Sequence, residues 1–133
     1  MRREIFLALT IACAQIASAR SDTLYRCELL DSAHVNEAGR FERIATYENM
    51  RAQMNPVLVD TSTGVVRVGR PATIWRWRVF QRGNSDMYWY LGRPDADPQA
   101  LVVSYLRITP WTSPPLIFLS TSTATFSGQC VVE

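Results

Sequence analysis

Lysine is absent from the chain, histidine occurs once, as His34, and cysteine three times, as Cys13, Cys27 and Cys130. A single histidine cannot give a histidine-based metal site three ligands unless carboxylates join it, and there is no histidine pair around which to build a triad. His34 with Glu37 has helical spacing but reads as a solvated loop pair. With only 6 glycines there is no glycine loop able to cradle phosphate, and Gly-x-Ser-x-Gly, the sharp turn that presents a serine nucleophile, does not occur. Asp95-Ala96-Asp97 offers two alternate carboxylates before Pro98 but none of the further ligands of a calcium loop, so it reads as an acidic turn. The remaining acids are spread over loops, and nothing selects the fixed pair that general acid–base hydrolysis needs. No cofactor is expected.

What is present suits one globular domain: 133 residues, 47% apolar and 20% charged. All 14 basic residues are arginine and 12 residues are acidic, for a formal charge of +2. Without a clustered basic excess, nucleic acid is not an expected partner. The uniform use of arginine reads as the codon usage of a GC-rich genome rather than as selection for bidentate anion contacts.

The first residues read as a leader. Met1-Arg2-Arg3-Glu4 is a basic start, residues 5–16 are an apolar run of 12, and Ala17-Ser18-Ala19 is the small-x-small pattern that signal peptidase cuts. The run is shorter than the roughly 20 residues of a membrane span, and no later segment reaches that length. Thr10-Ile11-Ala12-Cys13 resembles a degraded lipobox, but threonine stands where leucine belongs. The expectation is therefore a signal peptide over 1–19, a single β domain over 20–133, and a secreted or periplasmic protein with no stable membrane span once the signal is removed.

Export removes Cys13 and leaves Cys27 and Cys130 in an oxidising compartment, where two cysteines are expected to bond. The closed loop would hold about a hundred residues, and in the chain-entropy picture it stabilises by roughly 4–5 kcal/mol. The bond requires the first and last strands to be neighbours, with Cα atoms about 4.4–6.8 Å apart. The alternative use of either cysteine, a thiol nucleophile with His34 as base, would be silenced by it.

Short segments rich in β-branched and aromatic residues, separated by turn residues, predict about eight strands: 23–30, 56–60, 65–68, 73–82, 87–91, 101–108, 116–120 and 125–132. Thr61-Ser62-Thr63-Gly64 and Gly83-Asn84-Ser85-Asp86 are the hairpin loops. Residues 45–53 form the one short helical segment, ended by Asn55-Pro56, and 31–43 reads as a long polar loop. The fold class is all-β: a small antiparallel barrel or sandwich, stapled by a disulfide. The hydroxyl-rich 120–125 reads as a plain hairpin tip.

Tyr25-Arg26-Cys27, the stretch from Val57 to Arg67, and Ser127-Gly128-Gln129-Cys130 resemble short exported proteobacterial proteins of unassigned function. That resemblance implies a compartment and a fold, and carries no catalytic residues. The early Tyr-x-Cys, the terminal cysteine and the aromatic-rich strands are also similar to periplasmic lysozyme inhibitors of the small-barrel type, whose inhibitory loop has no counterpart here.

Period-two alternation from Thr73 puts Trp75, Trp77 and Val79 on one face and Ile74, Arg76, Arg78, Phe80 and Arg82 on the other. With an even-length turn, Tyr88 and Tyr90 join the tryptophans in the core, while Met87, Trp89 and Leu91 join the arginines; an odd turn reverses this. Arg76, Arg78, Arg82 and Trp89 are accordingly the candidate partner-binding residues, since arginine and aromatic side chains are frequent interface anchors. The expected partner is an unknown protein or an anionic glycan of the cell envelope. The expected role is a non-catalytic binding or structural module, the alternatives being an inhibitor of a lysozyme-like enzyme and a small hydrolase with an unrecognised carboxylate site. Intact mass of the exported protein should match a chain starting at Arg20 and two hydrogens lighter than its reduced form; two free thiols, or retention of Cys13, would overturn the reading of leader and cysteines.

Overall fold

The computed structural model describes residues 23–93, 104–121 and 123–133; the leader, Cys13 and the Asp95/Asp97 turn lie outside the described residues. Ten strands and one helix follow in order: β1 (Leu24–Val35), β2 (Phe41–Glu42), α1 (Ala45–Met54), β3 (Val57–Asp60), β4 (Val65–Val68), β5 (Thr73–Arg76), β6 (Arg78–Gln81), β7 (Trp89–Gly92), β8 (Tyr105–Thr109), β9 (Leu116–Ser120) and β10 (Thr125–Val132). The sheet order is β5-β4-β3-β1-β10-β9-β8-β7-β6, with β2 paired only to β1. β5 and β6, the two ends of this order, are separated in the chain by Trp77 alone. The sheet therefore curls until its ends meet, and the architecture is a nearly closed antiparallel barrel rather than a sandwich.

The first and last strands lie side by side, as the cysteine pairing demands. Cys27 stands opposite Cys130 in the β1–β10 register and the two are bonded, with an S–S distance of 1.98 Å. Their Cα atoms are 3.9 Å apart, closer than the expected range. The Cys130 N–H donates to Pro115 O, away from β1. The cysteines thus form a non-hydrogen-bonded pair, the position at which antiparallel strands approach most closely.

Alternation along each strand then fills the barrel. Tyr25, Cys27 and Leu29 of β1, Val57 and Val59 of β3, Val66 and Val68 of β4, Leu106 and Ile108 of β8, Ile117 and Leu119 of β9, and Phe126 and Cys130 of β10 all point inward and are buried. Burial pushes the Tyr25 phenol above its ordinary pKa, against hydrogen bonds from its neighbours.

At the β3–β4 turn, Ser62 donates to Asp60 through both its hydroxyl and its N–H, and holds that carboxyl below its usual range. Gly64 closes the turn at φ +75°, and its carbonyl accepts the Trp77 N–H at 2.9 Å, one rung beyond the β4–β5 ladder. A Cβ there would collide with the Trp77 carbonyl, so this contact admits only glycine. Trp77 itself is 8% exposed, in the core, and its ring stacks on that of half-buried Trp75 at 5.2 Å.

Two expectations change. Residues 31–43 are not simply a loop, because β1 continues to Val35 and pairs with β2 through His34↔Glu42 and Val35↔Phe41. A bulge between Leu29 and Asp31 shifts the register with β10, to which Asp31 to Ala33 still pair, and past it the residue turned inward is polar Ser32, which hides the strand from hydrophobic periodicity. The 73–82 strand is broken at Trp77, its halves pairing with opposite ends of the sheet.

Helix α1 sits over the bulge and is held mainly by hydrogen bonds; Met54 is its one buried residue. Asn55 accepts the Leu29 N–H at 2.7 Å and donates to the Leu29 carbonyl at 2.9 Å, its side chain taking the place of a backbone partner just before β3 begins. Arg51 donates to the same carbonyl and to Glu48, while the Ser32 hydroxyl donates to Glu48 at 2.7 Å.

Trp77→Ala should destabilise by roughly 3–5 kcal/mol in a urea melt, the range for a buried large aromatic cut to alanine. A change under about 1 kcal/mol, the scale of an ordinary surface substitution, would place the ring outside the packed core. The Ser32 hydroxyl first, then Arg51, holds the Glu48 carboxyl below its usual range. Its contribution is therefore complete above the unfolded carboxylate value, about pH 4.3, and is lost as pH falls through the lower folded value. Glu48→Gln should flatten the acid limb of stability against pH, and an unchanged limb would show that other carboxylates set it.

Candidate functional site

Whatever alternates with a buried position in this barrel faces outward. On β8 the neighbours of Leu106 and Ile108 are Tyr105 and Arg107; on β9 Phe118 lies between Ile117 and Leu119; on β7 Tyr90 lies between Trp89 and Leu91. The register sets Tyr90, Arg107 and Phe118 in one row across β7, β8 and β9, with Gly92, Tyr105 and Ser120 in the next. Phe80 of β6, its ring leaning over Gly92, extends the face by one strand.

These strands therefore carry one outward aromatic ring each. Centroids are 5.8 Å apart for Phe80 and Tyr90, 5.5 Å for Tyr90 and Tyr105, and 5.9 Å for Tyr105 and Phe118. Tyr88, just before β7, meets Trp111 of the β8–β9 connection at 4.7 Å. The Arg107 guanidinium lies over the Tyr88 ring at 4.5 Å and the Phe118 ring at 5.5 Å, held from both neighbouring strands. Arg78 lies 5.8 Å from the Phe80 centroid. Phe80 remains 52% exposed and Trp111 42%, while Tyr90, Tyr105 and Phe118 are half-buried.

Strands β6 to β9 contain Arg78 and Arg107 and no acidic residue. Among the described residues the ion pairs are Arg26–Glu133, His34–Glu42, Arg43–Asp31 and Arg51–Glu48, none of them on this face. A groove of about 340 Å³ adjoins it, lined in part by Arg107, Thr109, Phe118, Ser127 and Gln129. It meets a second groove, of about 550 Å³, at Leu30 and Gln129; the larger one runs over the disulfide-bonded strands past Arg26, Asn55 and Arg70. Glu28 is the one acid lining either groove.

Of the residues singled out in the sequence, Arg76, Arg78 and Arg82 are exposed, but the structure does not gather them. Arg78 belongs to the aromatic face, Arg76 sits on β5 opposite Val65 of β4, and Arg82 follows the end of β6. Trp89 is a correction: it is 3% exposed and lies in the core with Leu91, while Tyr88 and Tyr90 face outward. The β6–β7 connection is odd in length and pairs Val79 with Leu91, so both point inward; a bulge between Val79 and Gln81 follows. Gly83 makes room for the indole, since a Cβ there would meet Trp89 ring carbons and nitrogen.

Arg107, Tyr105, Phe118 and Trp111 were missed. Alternation in 105–109 and 116–120 marks the first three as outward, and only strand order brings them beside Tyr90. His34 bonds Glu42 rather than Glu37 and packs against Tyr47. No group of potential metal ligands occurs among the described residues, and no helix there is long and apolar enough to cross a membrane.

The chain matches no protein-family model, no curated protein and no solved structure. The Tyr88 and Phe118 rings both lie against the Arg107 guanidinium, and strands β6 to β9 carry no carboxylate.

Proposed function

We propose that this protein is an exported, non-catalytic binding module of the cell envelope, and that it engages an anionic partner through the outer face of β6 to β9. The observation that carries this reading is Arg107, fixed between the rings of Tyr88 and Phe118 on four strands without a carboxylate. A structural arginine would meet an acidic neighbour, whereas an exposed one held by aromatic stacking keeps its hydrogen-bonding edge for another molecule. Export is supported by the leader-like residues 1–19 together with the Cys27–Cys130 bond, which fits an oxidising compartment.

The test compares wild type with the double variant Arg78→Gln/Arg107→Gln after incubation with envelope extract. Material retained by wild type should be lost from the variant, and wild-type retention should fall as salt rises, because exposed charges are screened beyond about 10 Å at 0.1 M. Both proteins should be folded and unfold cooperatively, the variant melting several degrees lower because its ring contacts are lost. Equal retention by both would place the binding surface elsewhere.

A further inference from the structure

Resting on the reading that this face is the binding surface, we infer that its ligand is a carboxylate-bearing oligosaccharide lying across the strands from β6 to β9. Three features of the face select that chemistry. Arg107 supplies one planar fork of donors, aligned by the two rings beside it, and a carboxylate matches such a fork with two parallel hydrogen bonds. The rings of Phe80, Tyr90, Tyr105 and Phe118 follow one another strand by strand at 5.5–5.9 Å, a step comparable to the length of one pyranose unit, and aromatic faces take the apolar C–H side of a sugar. Uncharged hydroxyl and amide groups border the row, at Thr109, Ser120, Ser127 and Gln129, where they can exchange hydrogen bonds with sugar hydroxyls.

Competing ligands fit less well. A single-stranded nucleic acid presents a phosphate at every nucleotide and is tracked by a run of cations; two arginines across four strands fall short of that density. An extended acidic peptide gains most of its affinity by adding a strand to a sheet edge, here β5 or β6, and would leave the outward rings of β7 to β9 uncovered. A neutral glycan would use the rings and leave Arg107 unmatched. A ligand with carboxylates on some of its sugar units uses both.

The experiment titrates the full exported chain with hexasaccharides of galacturonate, of mannuronate and of alternating glucuronate and N-acetylglucosamine. A neutral glucose hexamer and hexaglutamate serve as controls, with calorimetry and the fluorescence of exposed Trp111 as readouts. At least one uronate hexamer should bind about tenfold or more tighter than the neutral one, a difference of the size expected for a charge-assisted pair. Arg107→Gln should remove that advantage, and Arg107→Lys should restore little of it, because lysine keeps the charge without the fork. Tyr90→Ala should weaken uronate and neutral hexamers alike, and all three variants should remain folded and unfold cooperatively.

If no uronate outcompetes the neutral hexamer, the glycan inference is overturned. Binding of hexaglutamate that is lost in Arg107→Gln would then leave the face as an anion-binding surface for protein and the broader function standing. Failure of every anionic probe, with envelope retention unchanged in the double variant, would overturn both. Uronate binding that Arg107→Gln leaves intact would place the glycan site elsewhere and also overturn the inference.

Discussion

The pairing of β1 with β10 is the constraint from which the rest of the barrel follows. These strands hold Cys27 and Cys130, 103 residues apart in the chain, yet they lie at the middle of the sheet order. With first and last strands joined there, the remaining strands extend outward in two directions, β3 to β5 from β1 and β9 to β6 from β10. The chain must still pass from β5 to β6, and it does so through the single residue Trp77. Closure is thus imposed by connectivity: two strands consecutive in sequence cannot lie at opposite ends of a flat sheet. The Trp77 N–H bond to Gly64 carries the β4–β5 ladder one residue further, up to the point where the chain crosses to β6.

Helix α1 is stitched on by polar groups because β1 runs on past its pairing with β3. At Leu29 no backbone of β3 stands opposite, and a buried unpaired N–H or carbonyl costs on the order of 1–3 kcal/mol. Asn55 supplies both a donor and an acceptor to Leu29, and Arg51 a second donor. Ser32, turned inward beyond the bulge, is satisfied by Glu48. The helix therefore needs little apolar surface; its role is to complete the hydrogen bonding of β1 where β3 no longer flanks it.

What the sequence made legible is whatever depends on neighbouring residues. The disulfide, the Thr61–Gly64 turn, the helix over 45–53 and most strands rest on cysteine count, turn residues or period-two alternation, and all of them are found. The outward face of β6 to β9 was legible only in part, because it depends on pairing. Trp89 changes sides through the odd β6–β7 connection, which no composition rule distinguishes from an even one. Arg107 and Phe118 alternate plainly within their own strands, but that Tyr88 and Phe118 flank one guanidinium is a fact of register across three elements. The Asp31 to Val35 extension was hidden for a different reason: its inward residue is a serine satisfied by a helix carboxylate.

Register also bears on why the aromatic face exists. Trp89, Leu91, Leu106, Ile108, Ile117 and Leu119 already fill the barrel from these strands, so the outward rings add nothing to that interior. Polar residues at the same positions would keep the alternation and the fold, and would lower the exposure of apolar surface that favours association. Stacking against Arg78 and Arg107 offsets some of that exposure, since each cation over a ring gains about 0.5–1 kcal/mol at an exposed site. It does not remove it, because Phe80 and Trp111 stay open. A row of rings that the core does not need, joined to arginines without an acid partner among the described residues, is the arrangement on which the proposed binding role rests.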